Sequence, residues 1–144
     1  MLYKKISILA LLIFLSTNYL LAESQTINLD DLNGNWHLRA MDGKEVRKAR
    51  AILDFDVKKM QLSGFDGCNR ISGTLKINTN TNFSSQLEST RMACRQNIHR
   101  YVSKRLHETV SEGFTITESK RYGVNGITIK SSSHNLFFKK MGKE

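Results

Sequence analysis

The chain has 144 residues with 22 Lys and Arg against 13 Asp and Glu, a net charge of +9. That length suits one domain with its own core, and the excess of bases leaves two readings open, attraction to anionic surfaces or a lysine-rich, well-solvated exterior. The two cysteines lack a Cys or His neighbour at ligand spacing, and neither a Walker-type nor a dinucleotide-type glycine pattern occurs, so zinc-finger and nucleotide-loop chemistry are excluded.

The first residues read as a targeting segment. Lys4 and Lys5 precede a run from Ile6 to Leu15 that is apolar apart from Ser7, and Ser16-Thr17-Asn18 ends it. A membrane-spanning helix needs about 20 predominantly apolar residues, and this core is too short. Ala22 offers a small residue for cleavage, although Leu20 is bulkier than usual at its position. Residues 1–22 are therefore expected to be a signal peptide and residues 23–144 a single domain starting at Glu23. No cysteine lies near the cut to carry a lipid, so the expected product is free of a membrane anchor, periplasmic or secreted. Losing Lys4 and Lys5 leaves 20 bases against 13 acids, a net +7.

After the cut, strands come first. Trp36, Leu38 and Ala40 alternate with His37, Arg39 and Met41, and Asp42-Gly43 turns the chain. Leu53, Phe55 and Val57 alternate with Asp54 and Asp56, Lys58-Lys59 marks a bend, and Met60 to Gly64 continues a third strand. Ile71, Gly73, Leu75 and Ile77 predict one face of a fourth, and Asn78 to Asn82 a loop. The period then changes. Ile98, Tyr101, Val102, Leu106, Thr109 and Val110 fall at helical spacing, with Asn97 placed to cap the start and Gly113 just past the end. Phe114 to Thr117 returns to alternation, Asn125-Gly126 signals a hairpin, and Asn135 to Lys139 predicts the last strand. No repeating strand–helix order occurs, so a parallel βαβ sheet is not expected. The expected fold is mainly β with one helix (α+β), a curved antiparallel sheet or partial barrel closed by that helix. Trp36, Phe55, Leu75, Leu106 and Ile129 are its predicted core.

Gly64-Phe65-Asp66-Gly67-Cys68-Asn69-Arg70 is the cluster most like an active site. A thiol beside Arg70 and Asp66 could be activated, and a thiol-dependent or hydrolytic enzyme centred on Cys68 is the reading it supports. Such a nucleophile needs a positioned base, and His37, His99, His107 and His134 reach it only through folding. The structural reading makes Gly64 and Gly67 the hinges of a tight turn, gives Asn69 to the local backbone, and pairs Cys68 with Cys94. Two cysteines allow one pairing, and an exported chain meets an oxidising compartment. His99 and His107 lie eight residues apart on the helix, a loose pair for a metal; no metal or cofactor is expected. Trp36 is a candidate stacking platform or a core residue. Arg95, Arg100, Lys104 and Arg105, with Arg91 nearby, form the strongest basic patch, a candidate site for lipopolysaccharide or acidic polymers. It lacks the interleaved aromatics of a single-stranded nucleic-acid binder, and no nucleic acid is expected.

Three stretches together resemble the META domain family. They are Leu32-Asn33-Gly34-Asn35-Trp36-His37-Leu38, the Leu62–Leu75 segment LSGFDGCNRISGTL, and Ser89-Thr90-Arg91-Met92-Ala93-Cys94, with Tyr122, Gly126, Ile127, Ile129 and Phe138 fitting the closing pattern. The most specific stretch includes Gly64, Asp66, Gly67, Asn69, Arg70 and Gly73. The resemblance implies a single β-rich domain with one helix, an association with the bacterial envelope and with stress or antibiotic tolerance, and no general catalytic chemistry. The expected partner is an unidentified envelope protein or, from the excess of bases, an anionic surface, with the chain itself read as a monomer. Two departures stand out. The family's lipid-anchored enteric member has an anchoring cysteine that is missing here, and an acid often found early in the family's helix is replaced by a start rich in Arg95, His99 and Arg100.

Overall fold

A short helix, α1 (Leu29–Leu32), opens the structure, a computed structural model that describes residues 27–142. The expected signal peptide at residues 1–22 and the expected N-terminus at Glu23 lie outside the described residues. Asn28 caps α1 by accepting the Asp30 N–H at 3.1 Å, and the Trp36 indole N–H donates to the Leu32 carbonyl at 2.7 Å, which ties α1 to the first strand.

The strands are β1 (Gly34–Met41), β2 (Lys44–Glu45), β3 (Ile52–Asp56), β4 (Gln61–Phe65), β5 (Arg70–Thr74), β6 (Lys76–Ile77), β7 (Phe83–Ser84) and β8 (Glu88–Ser89), followed by helix α2 (Asn97–Glu112) and then β9 (Thr115–Arg121), β10 (Val124–Lys130) and β11 (Asn135–Lys140). The main sheet is antiparallel throughout, in the order β8-β5-β4-β3-β1-β11-β10-β9, with β2 paired to β1. It stays open rather than closing into a barrel. The chain between the two edge strands is α2, so the helix must run from one edge to the other and cross a face of the sheet. The isolated bridge between Phe83 and Phe114 ties the small β6–β7 sheet to the entrance of β9.

One core fills the space between sheet and helix. Val102, Leu106 and Val110 of α2 are fully buried against Leu53, Phe55, Leu62, Ile127, Ile129 and Phe138. Each predicted core residue, Trp36, Phe55, Leu75, Leu106 and Ile129, is at most 5% exposed. Trp36 is therefore a core residue, not a platform.

Four local expectations are corrected. Asn125-Gly126 does not turn the chain: Asn125 pairs with Lys120 and Gly126 with Ser119 inside the β9–β10 ladder. The turn is Tyr122-Gly123, whose φ values of 53° and 73° supply the two consecutive left-handed residues a tight hairpin requires. Gly126 is there for room, since a Cβ would meet the Phe138 carbonyl oxygen at 2.0 Å and the Phe137 ring at 3.0 Å. Ile77 leaves the buried face, being 50% exposed, because the chain quits the main sheet at Leu75 and β6 pairs with β7. Asn97 is the first helical residue and not the cap; Gln96 occupies the cap position without a side-chain bond. Gly64 lies within β4, opposite Leu53 and Ile71, and its φ of 146° brings it so close to β3 that a Cβ would overlap the Ile52 carbonyl.

Candidate functional site

The β4–β5 connection is the four-residue loop Asp66-Gly67-Cys68-Asn69, closed by the Asp66 N–H donating to the Asn69 carbonyl at 2.9 Å. Its anchor is the Asp66 side chain, only 1% exposed. One carboxylate oxygen accepts the backbone N–H groups of Cys68 and Asn69, both at 2.7 Å. The other accepts the Ser103 hydroxyl at 2.9 Å and the His107 Nε2–H at 2.8 Å, both from α2. Burial pushes the Asp66 pKa up, but the hydrogen bonds from His107, Asn69, Cys68 and Ser103 outweigh it and hold the carboxyl below its ordinary value. A buried ionised group is tolerated here because its lone pairs are all occupied.

Around this anchor the loop is fastened on three more sides. His99 donates from Nδ1 to the Gly67 carbonyl at 2.7 Å. Gly67 has φ 103°, and a Cβ there would press on the His99 carbonyl at 3.2 Å. The Asn69 side-chain oxygen accepts from the Met92 N–H at 2.6 Å and the Thr90 hydroxyl at 3.1 Å, so it binds a segment more than twenty residues away and not its local backbone. Cys68 is bonded to Cys94, with the Cα atoms 4.8 Å apart. The sulfur that the sequence offered as a nucleophile is the staple between this loop and the approach to α2. Gly73, further along β5, clears space for the Ser85–Gln86 segment: its Cβ would lie 2.6 Å from the Ser85 hydroxyl. Arg70 pairs with Phe65 and fixes Thr90 through main-chain bonds, with its side chain exposed.

Of the four histidines, His99 and His107 reach the motif, and both act as hydrogen-bond donors to it. Ser103 between them was not singled out from sequence, although 99, 103 and 107 form an i, i+4, i+8 polar stripe that could have revealed it. His37 bonds to Asn35 within β1. His134 builds a second cluster: Nδ1 meets Asp42 and Nε2 meets Glu108, each at 2.8 Å. Burial lowers the His134 pKa, but the Glu108 and Asp42 bonds win and raise it; the same imidazole holds Glu108 below its ordinary value. Both ring nitrogens are taken up by these two carboxylates. Among the described residues no group of three His, Cys, Asp or Glu side chains is disposed to hold one.

The basic patch is only partly a patch. Arg95, Arg100 and Lys104 are exposed, whereas the Arg105 guanidinium stacks 3.6 Å from the centroid of the Tyr101 ring and donates to the Tyr101 carbonyl. No helix among the described residues is long and apolar enough to cross a membrane.

An open antiparallel sheet, crossed by one helix and locked to it through a buried aspartate and a disulfide, defines a small α+β domain held together by its β4–β5 loop. The META domain family model matches residues 27–141, and the chain belongs to that family. Two solved structures share the fold. One, described as the NMR structure of a protein from Burkholderia xenovorans, is 20% identical, with 83% of this chain and 92% of that chain covered at a TM-score of 0.62. The other, also an NMR structure, is 24% identical, with 80% and 96% covered at a TM-score of 0.63. No curated protein matches the chain.

Proposed function

We infer that this META-domain protein is exported through residues 1–22 and works as a non-catalytic binding protein of the bacterial envelope, in the setting of stress or antibiotic tolerance. The observation that carries the reading is the state of the motif. Asp66, Cys68, His99 and His107, the side chains that chemistry would use, are each engaged in holding the loop to the helix. A thiol-dependent enzyme at Cys68 would first have to break the Cys68–Cys94 bond. Such a bond is typical of compartments outside the reducing cytoplasm, which supports export. Fractionation of the producing bacterium followed by intact-mass measurement and thiol alkylation tests the reading. The expected species starts at Glu23, lies outside the cytoplasm and takes up no alkylating reagent. A cytoplasmic chain carrying Met1 and two reactive thiols would overturn it.

A second reading, binding of acidic envelope polymers through α2, is favoured by the exposure of Arg95, Arg100 and Lys104, which make no ion pair among the described residues. It predicts binding to lipopolysaccharide that weakens with salt and with the double charge reversal Arg100→Glu and Lys104→Glu. Binding indifferent to both would exclude it.

A further inference from the structure

The side of β1 and β11 turned away from the main core carries a groove of about 580 Å³, within the range of sites that hold small organic ligands. Ala40 and Phe137 lie on it, 4% and 1% exposed, yet neither belongs to the core cluster under the helix. Val124 adds to this apolar floor, and Gly126 lets the Phe137 ring lie across β10. The rim is net positive. Arg39, Arg121 and Lys139 face it, while Glu45 and Arg47 on the same rim pair with each other.

Arg39 is there by construction. In the β1–β11 ladder Leu38 pairs with Phe138 and Ala40 with Phe137, so Arg39 is an extra residue, a bulge. Alternation would put Arg39 and Ala40 on opposite faces; the bulge lets both line the groove. The Arg39 Nε is buried and has no hydrogen-bond partner in the protein. A buried guanidinium nitrogen left unmatched is costly, and an oxyanion is the partner its geometry suits. At the lip, Tyr122 has a left-handed backbone (φ 53°) and is 74% exposed. The left-handed backbone belongs to the β9–β10 turn, and that turn sets the tyrosine at the edge of the groove.

The geometry points to this groove as a binding site for a small amphipathic anion, a single carboxylate or phosphate on an apolar body, with the oxyanion on Arg39 and Arg121 and the body over Ala40, Val124 and Phe137. The site is on a different surface from the α2 patch and does not depend on export. Dodecanoate, dodecyltrimethylammonium and inorganic phosphate, each as monomers below any micelle concentration, are titrated into the purified protein by calorimetry and by amide-shift mapping. Dodecanoate is expected to saturate at one per chain with shifts centred on residues 39–40, 122–124 and 137. The cationic amphiphile should not bind, and inorganic phosphate should bind at least tenfold more weakly than dodecanoate. Losing a charged hydrogen bond should make Arg39→Gln at least tenfold weaker. Arg121→Gln, at an exposed hairpin, should weaken binding too and serves if Arg39→Gln folds poorly, while Lys58→Gln, exposed and outside both the groove and the α2 patch, should leave affinity unchanged. The proposal is overturned by equal binding of the cation, by phosphate binding as tightly as dodecanoate, or by shifts confined to α2. Binding only to phosphatidylglycerol vesicles, or affinity indifferent to both groove arginines, would overturn it equally.

Discussion

Replacing Asp66 by alanine removes the acceptor on which four donors converge, the N–H groups of Cys68 and Asn69 and the side chains of Ser103 and His107. Water cannot replace it without opening the loop, because the carboxylate is 1% exposed. Removing one partner from a buried charged cluster costs about 3–5 kcal/mol, a large share of the roughly 5–15 kcal/mol that holds a domain of this size. Asparagine is the more telling variant. Its side-chain oxygen can keep both backbone bonds, while its NH2 stands where the second oxygen accepted from Ser103 and His107. The Ser103 hydroxyl can rotate and the neutral His107 ring can change tautomer to accept from that NH2, so what is lost is the charge assistance, about 1.5–3 kcal/mol. Urea unfolding with the disulfide intact should show the midpoint falling and the slope unchanged, by on the order of 2 M for alanine and about half that for asparagine.

The pH dependence checks the cause. The folded pKa of Asp66 lies below its ordinary value of 3.8, because the bonds from His107, Asn69, Cys68 and Ser103 outweigh the opposing effect of burial. A carboxyl shifted down contributes stability that is complete above the unfolded pKa and disappears as pH falls through the folded one. The gap between wild type and Asp66→Asn should therefore hold steady from pH 5 to 8 and close in stronger acid. An asparagine variant as stable as wild type at pH 7, or a gap that persists undiminished to pH 2, would refute the role assigned to the carboxylate.

Three other outcomes follow from the same contacts. Cys68→Ala and Cys94→Ala should each lose about 3.5 kcal/mol by the loop-entropy relation for a separation of 26 residues, and the double variant hardly more; strictly additive losses in urea unfolding would show that the two do not share a bond. His134, with its pKa raised by Glu108 and Asp42 against the effect of burial, contributes stability that is full below its unfolded pKa and lost as pH rises through the folded value. His134→Gln should thus be more damaging at pH 6 than at pH 9, and an NMR titration should put the ring's midpoint above 6.5. Gly126→Ala, which forces a Cβ to within 2.0 Å of a carbonyl oxygen, should cost more than Gly123→Ala, where space is open and only the positive φ opposes the change, at about 1–2 kcal/mol; the reverse order in thermal unfolding would mean that Asn125-Gly126 turns the chain after all.

Periodicity carried most of the fold because each long element buries one face. Leu53 and Phe55, or Val102, Leu106 and Val110, can be assigned to a core by spacing alone, since the sheet and helix periods differ and each stripe has one place to go. Chain segments with a local reason and a tertiary reason for the same residue were the ones misread. Asn-Gly is a hairpin signal by its own conformational freedom, and so is a glycine by any rule of short-range structure. Yet Gly126 is required by Phe137 and Phe138 of β11, while the actual turn uses a tyrosine at φ 53°, a residue that no turn preference selects. Very short strands such as β2, β7 and β8, two residues each, bury too little to leave a period.

The motif around Cys68 was legible as a unit but not in its wiring. Residue types suggested a turn with a reactive look; only the crossing of α2 over the sheet brings Ser103 and His107 to Asp66, 37 and 41 residues along the chain. That separation explains why a triad-like set of Asp, His and Cys need not be an active site. Each polar group is there to satisfy another across a long loop, and the disulfide closes the same loop covalently. The groove behind β1 was hidden for a different reason. An alternating strand from Trp36 to Met41 assigns Ala40 to the core with Trp36 and Leu38, and Met41 to the wet face with His37 and Arg39. Both assignments fail because the ladder to β11 slips between Leu38 and Ala40, which buries Met41 in the core and sets Ala40 beside Arg39. A bulge leaves no composition signature; its consequence is that a guanidinium ends beside a phenylalanine with its Nε unmet. The family's most recognisable residues thus hold the domain together on the helix side. The groove proposed as a binding site is lined by residues outside that motif, so its binding and the loop's contribution to stability can be tested separately.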